Sequence, residues 1–279
     1  MAITRFRAEV WSALLATSLK KAHVYAALCN SDYEGEIAAA GDTVRITSIS
    51  RPTIRTYGRN ADIQYEELTD AQRTLVVDQE KYWAFSIDDL DAAQARGNVV
   101  PEAMSEAAHG LADVADTYVA NLYTQAQAAN VIPARTISSG DAAYESLVDL
   151  GVKLGEANVP NAGRWVVIPE WYHGQLLKSP NFINAEKAAD GGAALRRGFI
   201  GQAAGFDIFK SNNAPNPAAA DYVVMAGVRA AITYADQVNR TEALRSEARF
   251  GDRVRGLYNY GAKVIRPDAL AVLTATRPA

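Results

Sequence analysis

Pro101-Glu102-Ala103-Met104-Ser105-Glu106-Ala107-Ala108-His109-Gly110-Leu111-Ala112-Asp113-Val114-Ala115-Asp116-Thr117-Tyr118-Val119-Ala120-Asn121-Leu122-Tyr123-Thr124-Gln125-Ala126-Gln127-Ala128-Ala129 sets the scale of this fold. Met104, Ala108, Leu111, Ala115, Tyr118, Val119, Leu122 and Ala126 recur every third or fourth position, the spacing of one helix face. Glu106, Asp113, Asp116, Asn121 and Gln125 fall mostly elsewhere and predict a wet side. Pro101 suits a first turn, where its missing N–H costs nothing, and Glu102 lies near the positive end of the helix dipole. Gly110 weakens the interior by about 1 kcal/mol relative to alanine, which the apolar stripe absorbs. Asn130 and Pro133 end the run. At 1.5 Å per residue the predicted rod approaches ~40 Å, longer than a small domain core needs.

Upstream, Asp88, Asp89 and Asp91 raise a metal reading. No glycine or bidentate glutamate follows at calcium-loop spacing. The acids precede Ala92-Ala93-Gln94-Ala95, so they read as helix caps. Lys81 to Ile87 is aromatic and half apolar, and Arg73 to Asp78 alternates as a strand does. Gly41-Asp42 is a turn signal, followed by a second alternating run, Thr43-Val44-Arg45-Ile46-Thr47-Ser48-Ile49. Thr53-Ile54-Arg55-Thr56-Tyr57 extends it, and Asp62, Glu66, Glu67 and Asp70 make an acidic group. Together these predict a long β-hairpin whose outer half has too little apolar surface to fold alone, and whose edges need cover. Arg51, Arg55 and Arg59, with Glu66 and Glu67, either meet opposite charges on an adjacent copy or form a solvated surface. Residues 6–28 carry Val10, Trp11, Leu14, Leu15, Leu19 and Ala22 at helical spacing. They form either a first helix packed on its own domain or an arm whose Trp11 face docks on a neighbour. Residues 30–40 read as an extended connector.

Downstream, Asp141 is placed to cap a second helix with Tyr144, Leu147, Val148, Gly151 and Leu154 on one face. Trp165-Val166-Val167-Ile168 is a continuous apolar run, expected of a strand buried on both faces. Pro169 opens a short helix through Leu177, and residues 178–205 read as a glycine-rich loop region. Strands are expected at Phe206–Phe209, Tyr222–Met225 and Val228–Tyr234, making one compact α+β unit. From Thr241 to Arg255 the charges alternate in sign. Gly256–Ile265 reads as a strand, Pro267 as a break and Ala269–Leu273 as a last short strand.

The composition narrows the function. A chain of 279 residues forms one large domain or two. A net charge of −4 argues against a dedicated nucleic-acid binder, while leaving room for a local basic face. Cys29 is alone, so no internal disulfide forms, and a small apolar role fits it. No apolar run reaches the length of a membrane span. The first residues lead into an amphipathic stretch and not a signal-peptide core, so a soluble intracellular protein is expected. His23, His109 and His173 share no metal-ligand spacing and lie in no nucleophile motif. Gly198, Gly201 and Gly205 do not match a dinucleotide fingerprint. Glu170 follows a buried strand without a partnered acid or base. No catalytic, cofactor-binding or metal residue is assigned, and an enzyme is the weaker class.

Four stretches in order resemble the major capsid (coat) proteins of tailed bacteriophages, whose fold is shared with herpesvirus capsids and encapsulin shells. Gly41-Asp42-Thr43-Val44-Arg45-Ile46 resembles the ascending limb of that family's extended loop. Leu75-Val76-Val77-Asp78-Gln79-Glu80-Lys81-Tyr82-Trp83-Ala84-Phe85-Ser86-Ile87-Asp88-Asp89 resembles the limb descending into the spine helix. Gly201 to Asn212 resembles an incoming strand of the axial domain, and Arg249 to Ala262 the strand returning to the peripheral domain.

The resemblance implies an α+β fold: N-terminal arm 1–40, extended loop 41–90, peripheral domain 91–135 and 241–279 with the spine helix, and axial domain 136–240. It further implies a virion shell protein, assembled in the host cytoplasm into pentamers and hexamers of an icosahedral head enclosing double-stranded DNA, without sequence-specific binding and with no cofactor or membrane. Trp11, Arg51, Arg55, Arg59, Glu66 and Glu67 become the expected inter-subunit contacts. A portal and a separately encoded scaffolding protein are the expected assembly partners, with a decoration protein a further candidate. Some relatives cross-link through a lysine of the extended loop, but no lysine occurs between Gly41 and Glu80. An encapsulin-like nanocompartment shell is the alternative on the same fold. A small α+β hydrolase is the distant one, resting on Glu170 and the histidines.

Overall fold

The computed structural model describes residues 24–32, 43–49, 53–54, 70–88, 99–180, 199–245 and 251–278. The long helix is α2, Val99–Ala120, preceded by the single turn α1, Tyr25–Leu28. Met104, Ala108, Leu111, Ala115, Val119 and Leu122 of the expected stripe are all buried, and Tyr118 and Ala126 pack against the same core. The helix stops earlier than Ala129, passing into 3-10 turns at Asn121–Gln125 and Ala128–Asn130. The reason is tertiary. The Gln127 N–H donates to the Pro267 carbonyl at 3.1 Å, and Asn130 Nδ2 donates to that of Asp268 at 2.7 Å. The Gln127 backbone donor is thus satisfied across the fold and not by a preceding helix carbonyl. Asp116, expected on the wet side, is buried.

Eleven strands lie among the described residues in three sheets. β1, Thr43–Ile49, and β2, Asp70–Val76, form the antiparallel hairpin, paired from Thr43↔Val76 to Ile49↔Asp70. β3, Gln79–Asp88, β10, Gly251–Val264, and β9, Ile232–Arg245, form an antiparallel sheet in the order β3-β10-β9. The remaining strands are β4, Val131–Thr136, β5, Arg164–Ile168, β6, Phe199–Ala203, β7, Phe206–Lys210, β8, Asp221–Val228, and β11, Leu270–Thr276. They make a mixed sheet in the order β4-β11-β8-β5-β7-β6.

Several boundaries differ from the sequence reading. Asp88 ends β3 opposite Gly251; Asp89, Asp91 and the helix expected after them lie outside the described residues. β6 arises within the expected loop region, turning into β7 through Ala204 and Gly205, both at positive φ (52° and 81°), as a tight two-residue hairpin requires. Val228 completes β8, and a 3-10 turn at Arg229–Ala231 separates it from β9, which runs on through Thr241.

α3, Gly140–Glu156, is capped by Ser139, whose Oγ accepts the Ala142 N–H at 3.2 Å. Asp141 sits in the first turn and accepts a hydrogen bond from Ser179 Oγ at 2.8 Å. Its buried face carries Ala143, Ser146, Leu147, Leu150 and Leu154, while Val148 points outward. α4, Glu170–Leu176, follows Pro169 as expected, and the Tyr172 hydroxyl donates to the Ala143 carbonyl at 2.8 Å.

The run Trp165–Ile168 is buried along its length between β7 and β8, because central strands of a covered sheet have no wet face. β11 pairs antiparallel with β8 from Leu270↔Gly227 to Thr276↔Asp221. β11 thus lies between β8 and β4 within the mixed sheet, and one hydrophobic core runs from α1 and α2 through both larger sheets.

Candidate functional site

The hairpin is fastened at its base. Leu75 and Val77 are buried against Ala235, with Ile265 beside them. A Cβ added to Gly261 of β10 would lie 2.5 Å from the Val76 carbonyl oxygen and 2.9 Å from the Val77 Cα. Only glycine lets the hairpin backbone cross β10 this closely. Beyond that crossing, the two strands pair with each other alone among the described strands, and Ile54 is 94 % exposed.

The β3-β10-β9 sheet has one packed and one open face. Val254, Tyr258 and Tyr260 of β10 are buried. Tyr260 meets Tyr118 of α2 edge-on with ring centroids 5.4 Å apart. Tyr234, Tyr258 and Tyr260 form an aromatic cluster beneath α2, with Tyr234 and Tyr258 hydroxyls 2.6 Å apart and Tyr258 donating to Asp236 at 2.8 Å. The open face carries Tyr82, 81 % exposed. With Ala84, Glu242, Arg255 and Leu257 it lines a groove of about 580 Å³. The alternating charges of the sequence resolve here into cross-strand pairs. Arg255 faces Glu242 (Nε to Oε2, 2.8 Å) and Arg245 faces Asp252 at 3.5 Å.

The segment before the hairpin is stitched to the body. Asp116 Oδ1 accepts the Val24 and Tyr25 N–H groups at 3.0 and 2.7 Å, and its Oδ2 accepts Asn213 Nδ2 at 3.4 Å. Burial pushes the Asp116 carboxyl above the usual carboxylate range, and the Tyr25, Val24 and Asn213 hydrogen bonds oppose that shift. Farther along, the Asn30 N–H donates to the Ile232 carbonyl (2.8 Å), the Tyr234 N–H donates to the Asn30 carbonyl (2.9 Å), and Arg229 Nε donates to the Cys29 carbonyl (3.0 Å). Cys29 is buried beside this strap, and burial raises its thiol pKa well beyond the ordinary value. It fills the small apolar role expected of it. No periodicity distinguishes Asp116 from its exposed neighbour Asp113; the sequence reading missed it for that reason.

Trp11, Arg51, Arg55, Arg59, Glu66 and Glu67 lie outside the described residues, as does His23. His109 is exposed on α2 and His173 half-buried on α4, so these histidines sit on separate elements. Glu170 of α4 pairs with Lys210, the last residue of β7, at 3.2 Å. Among the described residues no group of three metal-ligating side chains converges, and no helix is long and apolar enough to cross a membrane.

A family model described as phage capsid protein matches residues 47–273. A solved structure from Mycobacterium phage Che8 is 30 % identical, with 90 % of each chain covered and a TM-score of 0.74. The capsid of cyanophage P-SCSP1u is 16 % identical over 87 % of this chain and 85 % of that one, with a TM-score of 0.67. A virus-like particle from Pyrococcus furiosus is 15 % identical over 96 % and 99 %, with a TM-score of 0.60. The latter two likenesses concern the fold alone. No curated protein matches the chain.

Proposed function

The chain belongs to the phage capsid protein family, and from that premise we propose that copies of it assemble into pentamers and hexamers of an icosahedral head enclosing double-stranded DNA. As a member of that family it is a structural component of the virion capsid and not an enzyme. The observation that carries the assembly reading is the hairpin, a two-stranded sheet joined to the body at its base. A lone two-stranded ribbon is at best marginally stable in water and exposes two edges. A neighbouring subunit supplies the missing cover. Trp11 of the arm and Arg51, Arg55, Arg59, Glu66 and Glu67 of the hairpin are the proposed contacts.

On this reading, residues 1–40 are the arm, 41–90 the extended loop, 91–135 and 241–279 the peripheral domain and 136–240 the axial domain. Strand β11 crosses into the axial sheet. Each subunit binds several neighbours at once, so modest individual contacts add to a stable shell. A net charge of −4 suits a container filled by a motor, in which DNA need not be held tightly. Assembly in the host cytoplasm with a separate scaffolding protein and a portal, and the addition of a decoration protein, belong to the same proposal. An encapsulin-like nanocompartment is less favoured, because the 30 %-identical relative comes from a phage.

Negative-stain electron microscopy tests the proposal on the chain expressed alone and with a neighbouring scaffold gene. Closed particles of uniform size in either preparation support it. Small oligomers in both overturn it. Nuclease-protected double-stranded DNA inside particles from infected cells separates a phage head from a cargo-loaded compartment.

A further inference from the structure

We propose that Asp116 is the positioning residue that sets where residues 1–23 leave the body, by holding the leading N–H groups of α1 against α2. Its consequence for assembly rests on reading residues 1–23 as an arm that reaches neighbouring subunits. Asp116 occupies the buried side of α2 beside Ala112, Ala115, Val119 and Ala120, where an alanine would pack without desolvating a charge. A carboxylate there is costly unless it answers donors that would otherwise go unpaired. Those donors are present. The Val24 and Tyr25 N–H groups lead a one-turn helix with no side-chain cap of its own, and both point to Asp116 Oδ1.

Around the carboxylate, Asn213 Nδ2 also bonds Asp113 Oδ1 at 2.7 Å, so the loop after β7 is tied to the same turn of α2. The Tyr25 hydroxyl and Cys29 thiol feel the Asp116 charge, and Arg229, bonded to the Cys29 carbonyl, acts on the thiol in the opposite sense. Tyr25 itself is 1 % exposed, so the strap is packed as well as bonded. Residue 24 is therefore a fixed exit point. After it, Asn30 is bridged to Thr233 of β9.

The test compares the full chain with Asp116→Ala and Asp116→Asn by hydrogen-exchange mass spectrometry and electron microscopy. In Asp116→Ala the Val24–Ala26 amides should exchange about tenfold to a hundredfold faster, as loss of charge-assisted hydrogen bonds implies. Peptides from β8 and β11 should keep their wild-type protection, and particles should lose uniform size. Asp116→Asn, whose Oδ1 still accepts, should restore most of the protection and uniformity. Unchanged exchange at Val24–Ala26 overturns the proposal, as does equal acceleration in β8 and β11, which marks a general stability role. A deletion of residues 1–23 separates the two readings. Uniform closed particles from the deletion refute the arm reading alone. Loss of particles in the deletion, with uniform particles in Asp116→Ala, refutes the positioning role alone.

Discussion

The indole of Trp83 lies across Gly256. The two residues are directly paired between β3 and β10, and a Cβ on Gly256 would sit 2.5 Å from Trp83 Cε2 and Nε1. The ring occupies the space a side chain would take, and it stacks on Phe85 with centroids 5.5 Å apart. Gly256→Ala should therefore force the indole aside and destabilise the protein by about 1–3 kcal/mol, the usual cost of overpacking. A urea melt followed by tryptophan fluorescence checks this, and Trp83→Leu in the same background should recover part of the loss. An unchanged midpoint in Gly256→Ala would show that the ring moves freely.

The outward turn of Val148 separates two substitutions on adjacent residues of α3. Leu147 is fully buried and Val148 is 40 % exposed. Leu147→Ala should cost about 2–5 kcal/mol, as buried leucine truncations do, whereas Val148→Ala should stay within about 0.5 kcal/mol. Comparable losses for the two would contradict the observed rotation of the helix.

High pH should weaken the fold through the tyrosines beneath α2. Burial, with Asp78 adding to it, pushes Tyr118 and Tyr260 up to about 12, against about 10 in an unfolded chain. Below pH ~10 both states hold these protons and the stabilisation is complete. From about pH 10 to 12 the unfolded state releases them first, so stability falls as pH rises. Tyr234 and Tyr258 shift in the same direction. Urea midpoints between pH 8 and 11 should stay level and then drop, and Tyr118→Phe should shallow the drop.

The Arg255–Glu242 pair should contribute little to stability. Its arginine side chain is 64 % exposed, and exposed pairs give about 0.2–1 kcal/mol. A double-mutant cycle with Arg255→Ala and Glu242→Ala should return a coupling in that range, diminishing in high salt. A coupling above ~2 kcal/mol would mark the pair as part of a buried network.

Trp11→Ala should reduce the yield of closed particles while leaving the subunit's thermal melt unchanged. Normal particle yield from this variant would remove Trp11 from the proposed interface.

Local periodicity made much of the architecture legible in the residue order. The stripe from Met104 to Leu122 announces which side of a helix is dry, and the apolar run Trp165–Ile168 announces a strand with no wet face, because a helix or strand repeats its environment at a fixed spacing. Thr43–Ile49 and Gly256–Ile265 read as strands as well, although the second begins earlier, at Gly251. The sign alternation from Glu242 to Arg255 was visible in the residue order, but its resolution into cross-strand pairs was not. Where partners are distant in the chain, residue order carried no such signal. Asp116 and Tyr25 stand 91 positions apart. Nothing within the α2 pattern distinguishes an aspartate that answers α1's N–H groups from one facing water. The early end of α2, the Ser139 cap, the outward turn of Val148 and the place of β11 beside β8 were all settled by donors and apolar surfaces supplied from elsewhere in the fold. The helix and strand periods thus determined which elements form, and only tertiary structure decided which buried polar groups they must satisfy.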